Sequence, residues 1–200
     1  MHKDVLTKSS DFFKACCDGH NWRESATKTI ELLYDDADTI SIYVQWLYTG
    51  ELVVIETTIP ADAHHRSKSE REEIFDRHFL PLYKLMIFGD KVGDSSLSNV
   101  IVDEILRITE VINLLPGPIK IRQIYPELPA ESPIRKLLRH LYRTADIDYI
   151  DRQRHFLPAD FVFDLMVELI RTRDQPRWRC PRFADRCKYH IHDDKIPKCT

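Results

Sequence analysis

DADTISIYVQWLYTG, residues 36–50, is the stretch from which the fold is read. The Asp36 carboxylate can accept from the free amides of a first helical turn. Ile40, Tyr43, Val44 and Leu47 follow at i, i+3, i+4 and i+7, the spacing of one buried helical stripe. Gly50 stands just past the last of them, where a left-handed residue closes a helix. The spacing predicts a helix from Asp36 through Tyr48.

Upstream, residues 4–9 and 10–17 read as two short helices, the second capped by Ser10 or Asp11, with Phe12 and Phe13 toward a core. KTIELL (28–33) alternates and is β-branched in part, so a short strand is expected there, and Leu52 to Ile55 suggests another. Residues 56–73 are polar and without period, the pattern of an insertion loop. Residues 74–88 are helical in pattern, with Pro81 expected to start or kink a helix. Asp94 then caps a long amphipathic helix carrying Leu97, Ile101, Ile105, Ile108, Ile112 and Leu115. Pro116-Gly117-Pro118 is the strongest chain breaker.

Beyond it, Ser132 and Pro133 form a cap and first-turn pair. Ile134, Leu137, Leu138, Leu141 and Tyr142 complete that helix. Pro158 opens the most apolar helix, which contains FVFDLMVELI (161–170). Its narrow polar line is Asp160, Asp164, Glu168 and Arg171, so it is expected to be buried on most sides. The tail from Arg177 onward has no period.

The chain has 200 residues, 43% hydrophobic and 30% charged, enough apolar material to close a core. Its five glycines show no phosphate-loop or dinucleotide-loop spacing, which argues against most nucleotide enzymes. No apolar stretch follows MHKDVLTKSSDFF, and residues 79–88, broken by Lys84, are too short to span a bilayer. Five cysteines without a leader read as reduced thiols or metal ligands, and the cytosol or the nucleus is the expected compartment. Charge is uneven. Residues 1–114 hold 12 basic and 20 acidic side chains, residues 115–200 hold 17 and 12. Three segments are therefore expected: an acidic unit at 1–115, a helical extension at 116–176, and a basic Cys/His tail at 177–200.

His2-Lys3, Ser10-Asp11-Phe12-Phe13 and Trp46-Leu47-Tyr48-Thr49-Gly50 occur in the order found in the BTB/POZ domain, and the first unit resembles that family. FGDKVGDSSLSN (88–99) is similar to its next helical joint. The wording of 88–115 and of the tail is most similar to the fungal branch. The family's β-hairpin ahead of His-Lys is missing from this sequence, as in a BTB/POZ chain truncated before its first hairpin. The resemblance thus implies a mainly α fold with a small residual β component, extended by C-terminal helices. It also implies a non-catalytic interaction module with protein partners: a second copy, and for adaptor members a cullin-type ubiquitin ligase scaffold. Val5, Leu6, Phe12 and Phe13 then belong to the helical pair on which such domains dimerise; the plainer reading makes all four core.

Two features of the tail stand outside that reading. Cys180, Cys187, His190, His192 and Cys199 lie within 20 residues, and tetrahedral zinc needs four such donors. The spacing matches no standard finger, so no cofactor is expected, with zinc on Cys180, Cys187, His190 and Cys199 as the alternative. The tail also carries seven basic residues from Arg171 to Lys188, interleaved with Trp178, Phe183 and Tyr189. That composition suits a nucleic-acid-associated protein, the alternative function. A basic segment folded on the acidic first unit accounts for it better, because the whole chain carries −3. No nucleophile elbow, zinc-protease helix or cysteine-protease signature occurs, and no enzyme activity is expected.

Overall fold

A computed structural model describes residues 2–18, 27, 29–32, 34–53, 59–173, 179–194 and 196–199. Among these residues the regular structure is helical and no strand occurs. The α-helices are α1 Lys3–Ser9, α2 Asp11–Asp18, α3 Ala37–Thr49, α4 Lys68–Val92, α5 Ser95–Ile112, α6 Pro118–Ile124, α7 Pro133–Tyr142, α8 Ile147–Gln153 and α9 Ala159–Thr172. Short 3-10 turns fall at Ala63–His65, Tyr125–Glu127 and Phe183–Lys188.

The centre is the pair α4 and α5, joined by Gly93 and Asp94 and packed along each other. Leu97, Ile101, Ile105, Ile108 and Ile112 of α5 are fully buried, as their spacing predicts. They meet Phe75, Phe79, Leu82, Leu85 and Met86 of α4. Gly89 permits the close approach: a Cβ there would stand 2.9 Å from Leu97 Cδ2. At the joint, Asp94 Oδ1 accepts from the Leu97 amide (3.1 Å) and Oδ2 from the Tyr43 hydroxyl (2.9 Å), so one cap also fastens α3. Ser10 works the same way. Its hydroxyl accepts from the Phe13 amide, capping α2, and donates to the Val92 carbonyl at 2.6 Å.

The helix bounds read from Asp36, Gly50, Ser132 and Pro133 hold: Asp36 accepts from the Thr39 amide, Gly50 is left-handed, and Ser132 accepts from the Ile134 amide. Other expectations do not. The stripe of α3 is rotated, because Thr39, Tyr43 and Trp46 are its buried residues while Ile40, Val44 and Leu47 lie at the edge. Residues 29–32 and 52–53 form no strand; the rest of both expected strands lies outside the described residues. Two short β-branched runs without paired neighbours have nothing to satisfy a ladder. The insertion loop is shorter than 56–73, since α4 begins at Lys68. Ser67 and Glu70 make a capping box there, a signal the S-x-x-E spacing carried. Pro81 neither starts nor ends a helix. It sits inside the 25-residue α4, where the buried residues on both sides of it offset the one lost backbone bond.

The largest correction concerns α9. Only Phe161 is fully buried; Val162, Phe163, Met166, Leu169 and Ile170 are exposed. The inward side holds Asp164 and Glu168. Polar side in, apolar side out: the helix is turned over relative to its expected orientation. The buried apolar cluster itself runs from Leu6 to Tyr189 and continues across residues 116–118.

Candidate metal centre

The tail reaches α5 through backbone and side chains together. The Phe183 amide donates to Glu110 (3.2 Å), and Asp185 accepts from the Arg182 amide at the start of the 3-10 turn. Asn99 then grips the chain in both directions. Its Nδ2 donates to the Ile191 carbonyl (2.8 Å) and its Oδ1 accepts from the Ile191 amide (2.7 Å). Asp193 and Ile196 exchange backbone hydrogen bonds, reversing the chain so that Cys199 returns to Cys187.

That reversal brings four donor atoms into two close pairs. Cys187 Sγ lies 3.2 Å from His192 Nε2, and Cys199 Sγ lies 3.1 Å from His190 Nδ1. The donor atoms of Cys187, His192 and Cys199 all fall within 4.8 Å of one another, so these three could hold a metal ion. The far nitrogens of both rings fix their tautomers. His190 Nε2 meets Asp103 Oδ1 at 2.9 Å, and His192 Nδ1 meets the Pro197 carbonyl at 3.0 Å. A carboxylate or carbonyl oxygen only accepts, so those two nitrogens carry the protons. Each ring therefore turns a bare lone pair toward a sulfur, the state a metal ligand needs.

The electrostatics are local. Hydrogen bonds from Cys199 hold the Cys187 thiol below its usual value, with His192 acting in the same direction. Burial pushes Cys199 up. Burial also raises Asp103, opposed by His190 and Arg186. The cations of the tail are largely engaged: Arg179 and Lys188 pair with Asp185, and Arg186 lies 3.9 Å from Asp103. Arg177 and Trp178 lie outside the described residues.

Of the donors read from the sequence, Cys187 and Cys199 fall in that cluster, His190 touches it through Cys199, and Cys180 is not in it. Cys180 lines an open cleft of ≈ 1090 Å³ beside α4, α5 and α6. His192 takes its place in the cluster. A count of candidate ligands could not choose between them, because the choice is made by the reversal at 193–196. The cleft carries both signs of charge, and across it Lys120 and Asp76 form an ion pair at 3.2 Å.

Tyr189, between Cys187 and His190 in sequence, is 2% exposed and inserts toward α7 and α9. Its hydroxyl donates to His140 Nδ1 (2.9 Å), and His140 Nε2 donates to Glu168 (3.1 Å), with Arg143 also near that carboxylate. Further along α9, Asp164 accepts from the Tyr125 hydroxyl at 2.6 Å, and Arg139 donates to the same hydroxyl. Among the residues assigned to a dimerising pair, Leu6 and Phe13 are buried in the chain's own core, while Val5 and Phe12 are half-buried. No helix among the described residues is long and apolar enough to cross a membrane. No protein-family model, no curated protein and no solved structure matches the chain. The BTB/POZ likeness thus stands on the sequence motifs quoted above.

Proposed function

We propose that the chain is a non-catalytic protein-interaction module of BTB/POZ type whose tail is fastened by zinc. The observation that carries the interaction reading is the outward apolar side of α9. A helix normally turns such a side into the core. Here the core side is occupied by carboxylates held by Tyr125, His140 and the arginines of α7, and five large apolar residues are left for another surface to cover. Contiguous apolar patches of this kind mark interaction sites. Of the four residues assigned to a BTB-type contact on α1 and α2, Val5 and Phe12 keep accessible surface. The test compares proteins that co-purify with the full chain and with Phe163→Glu. A discrete species lost in the variant supports the reading; identical, non-specific recovery from both overturns it.

Zinc is the metal supported by the donor chemistry: two sulfurs and two imidazoles of fixed tautomer, the composition of closed structural sites. Cys187, His190, His192 and Cys199 would hold it, with Asp103 and the Pro197 carbonyl orienting the two rings. The role is structural, joining the two ends of the 187–199 loop on α5. Protein purified with zinc present should carry about one equivalent. Chelation should speed amide exchange at 187–199 while leaving α4 unchanged. Metal analysis that returns none removes the zinc. The charge pairing within the tail supports the interaction reading over nucleic-acid binding.

A further inference from the structure

We propose that a hydroperoxide oxidises Cys187 and Cys199 to a reversible disulfide, and that this bond and a bound metal exclude each other in the tail's Cys/His cluster. The inference deepens the zinc reading of that cluster, and its basis is the reversal at 193–196. That turn sets the two sulfurs within 4.8 Å of each other. A tetrahedral ion with each sulfur at about 2.3 Å needs its two thiolates at such a separation. The same approach leaves the sulfurs in reach of each other when no ion stands between them. Cys199 lies in the irregular stretch 196–199, and Cys187 is next to last in the short 3-10 turn. Closing the remaining gap therefore unwinds no α-helix.

Accessibility orders the chemistry. Cys187 is exposed and Cys199 is half-buried, so the oxidant reaches Cys187 first. Its sulfur attacks the peroxide: an S–O bond forms, the O–O bond breaks, and the leaving oxygen takes the thiol proton to become an alcohol or water. The sulfur of Cys199 then attacks the sulfenic acid so formed. An S–S bond forms, the S–O bond breaks, and hydroxide leaves with the Cys199 proton as water. The two thiols give up two electrons and the peroxide takes them. Beside each sulfur stands a bare imidazole nitrogen, His192 at 3.2 Å from Cys187 and His190 at 3.1 Å from Cys199, positioned to accept the S–H. Cys180 is outside the cluster and Cys16 is buried, which leaves Cys199 as the resolving thiol. Zinc requires both sulfurs as thiolates, so one state forbids the other.

Peroxide treatment of the full chain, stripped of metal by a chelator, tests this. Free thiols counted in denaturant should fall from five to three, with one cross-linked peptide pair holding Cys187 and Cys199 and a full return on adding a dithiol. Cys180→Ser should keep the bond, and Cys199→Ser should leave Cys187 open to a sulfenic-acid trap. Zinc-loaded protein should resist, releasing about one zinc for each bond formed. The mapping on the wild type decides the matter without relying on any variant to fold. Oxidation of Cys187 to sulfinic acid without a bond, or a bond to Cys180 or to another chain, overturns the pairing. If metal analysis returns no zinc while the bond forms, the zinc falls and the pairing stands. If zinc binds and the stripped protein yields no bond, the pairing falls and the zinc stands.

Discussion

Asp164 and Glu168 decide which way α9 faces. Each carboxylate meets phenol, imidazole or guanidinium donors from Tyr125, α7 and Arg143, and those contacts lie on the side of α9 that faces the core. Asp164 is about a third exposed, so its share falls at the low end for charged hydrogen bonds. Asp164→Ala is expected to cost about 1.5 kcal/mol. Phe163→Ser should stay within about 0.5 kcal/mol. Urea midpoints decide it; a larger loss for Phe163→Ser would turn the helix back over.

His140 sits beside Glu168 and gives the molecule an acid-sensitive point. Burial lowers its pKa from 6.5, Lys136 and Arg143 acting in the same direction and Glu168 opposing. The folded chain thus resists a proton that the unfolded chain accepts near pH 6.5. The stabilising contribution is complete above that value and declines as the pH falls toward the depressed one. Denaturation at a series of pH values should show stability dropping below about pH 6.5, and His140→Gln should flatten that drop. An unaltered slope would mean that His140 is not the group responsible.

At the scale of elements, the helix ends were the most legible part of the chain. Asp36, Asp94 and Ser132 are caps whose oxygens meet first-turn amides, and α5 and α7 bury the predicted stripes except Leu115, which lies past the end of α5 and is half-buried. Gly93, left-handed with nothing within 4 Å of a Cβ built there, isolates the backbone cost of the α4–α5 joint. Gly93→Ala should therefore destabilise by about 1 kcal/mol through conformation alone, read by thermal or urea unfolding. A neutral result would mean that the joint tolerates a different turn. What the sequence did not reveal was direction. Periodicity locates an apolar side of α9 without saying what lies opposite. The missing signal was on another helix: Arg135 and Arg139 of α7 and Arg143 just past its end recur every four residues, complementary to Asp164 and Glu168. The described parts of the two expected strands, 29–32 and 52–53, form none for a similar reason, since a β-branched run becomes a strand only where a neighbour can pair with it.

For the molecule as a whole, the candidate centre ties the end of the chain to its middle. Asp103 and Asn99 on α5 hold His190 and Ile191 across some 90 positions of sequence. Cys187, His190, His192 and Cys199 were all readable as candidate donors from residue type; that His192 rather than Cys180 meets Cys187 was not, because only the folded reversal at 193–196 brings it there. Asp103→Asn should lower zinc affinity by about 10- to 100-fold, the usual effect of removing a ring-orienting carboxylate. Competition with a chromogenic chelator measures it, and an unchanged affinity would exclude His190 as a ligand.

Tyr189 gives the tail a meaning for how the protein can be shortened. A residue so deeply inserted belongs to the interior, although it lies among segments that resemble an appendage by their irregular shape. A stop signal placed before it would not trim an ornament. It would open a hole beside His140, strip the cover from Asn99 and Asp103, and deprive α7 and α9 of a shared neighbour. Losing the last dozen residues of this chain should therefore be felt as a defect of maturation throughout the molecule, with poor yield and early degradation, rather than as the loss of one separable activity.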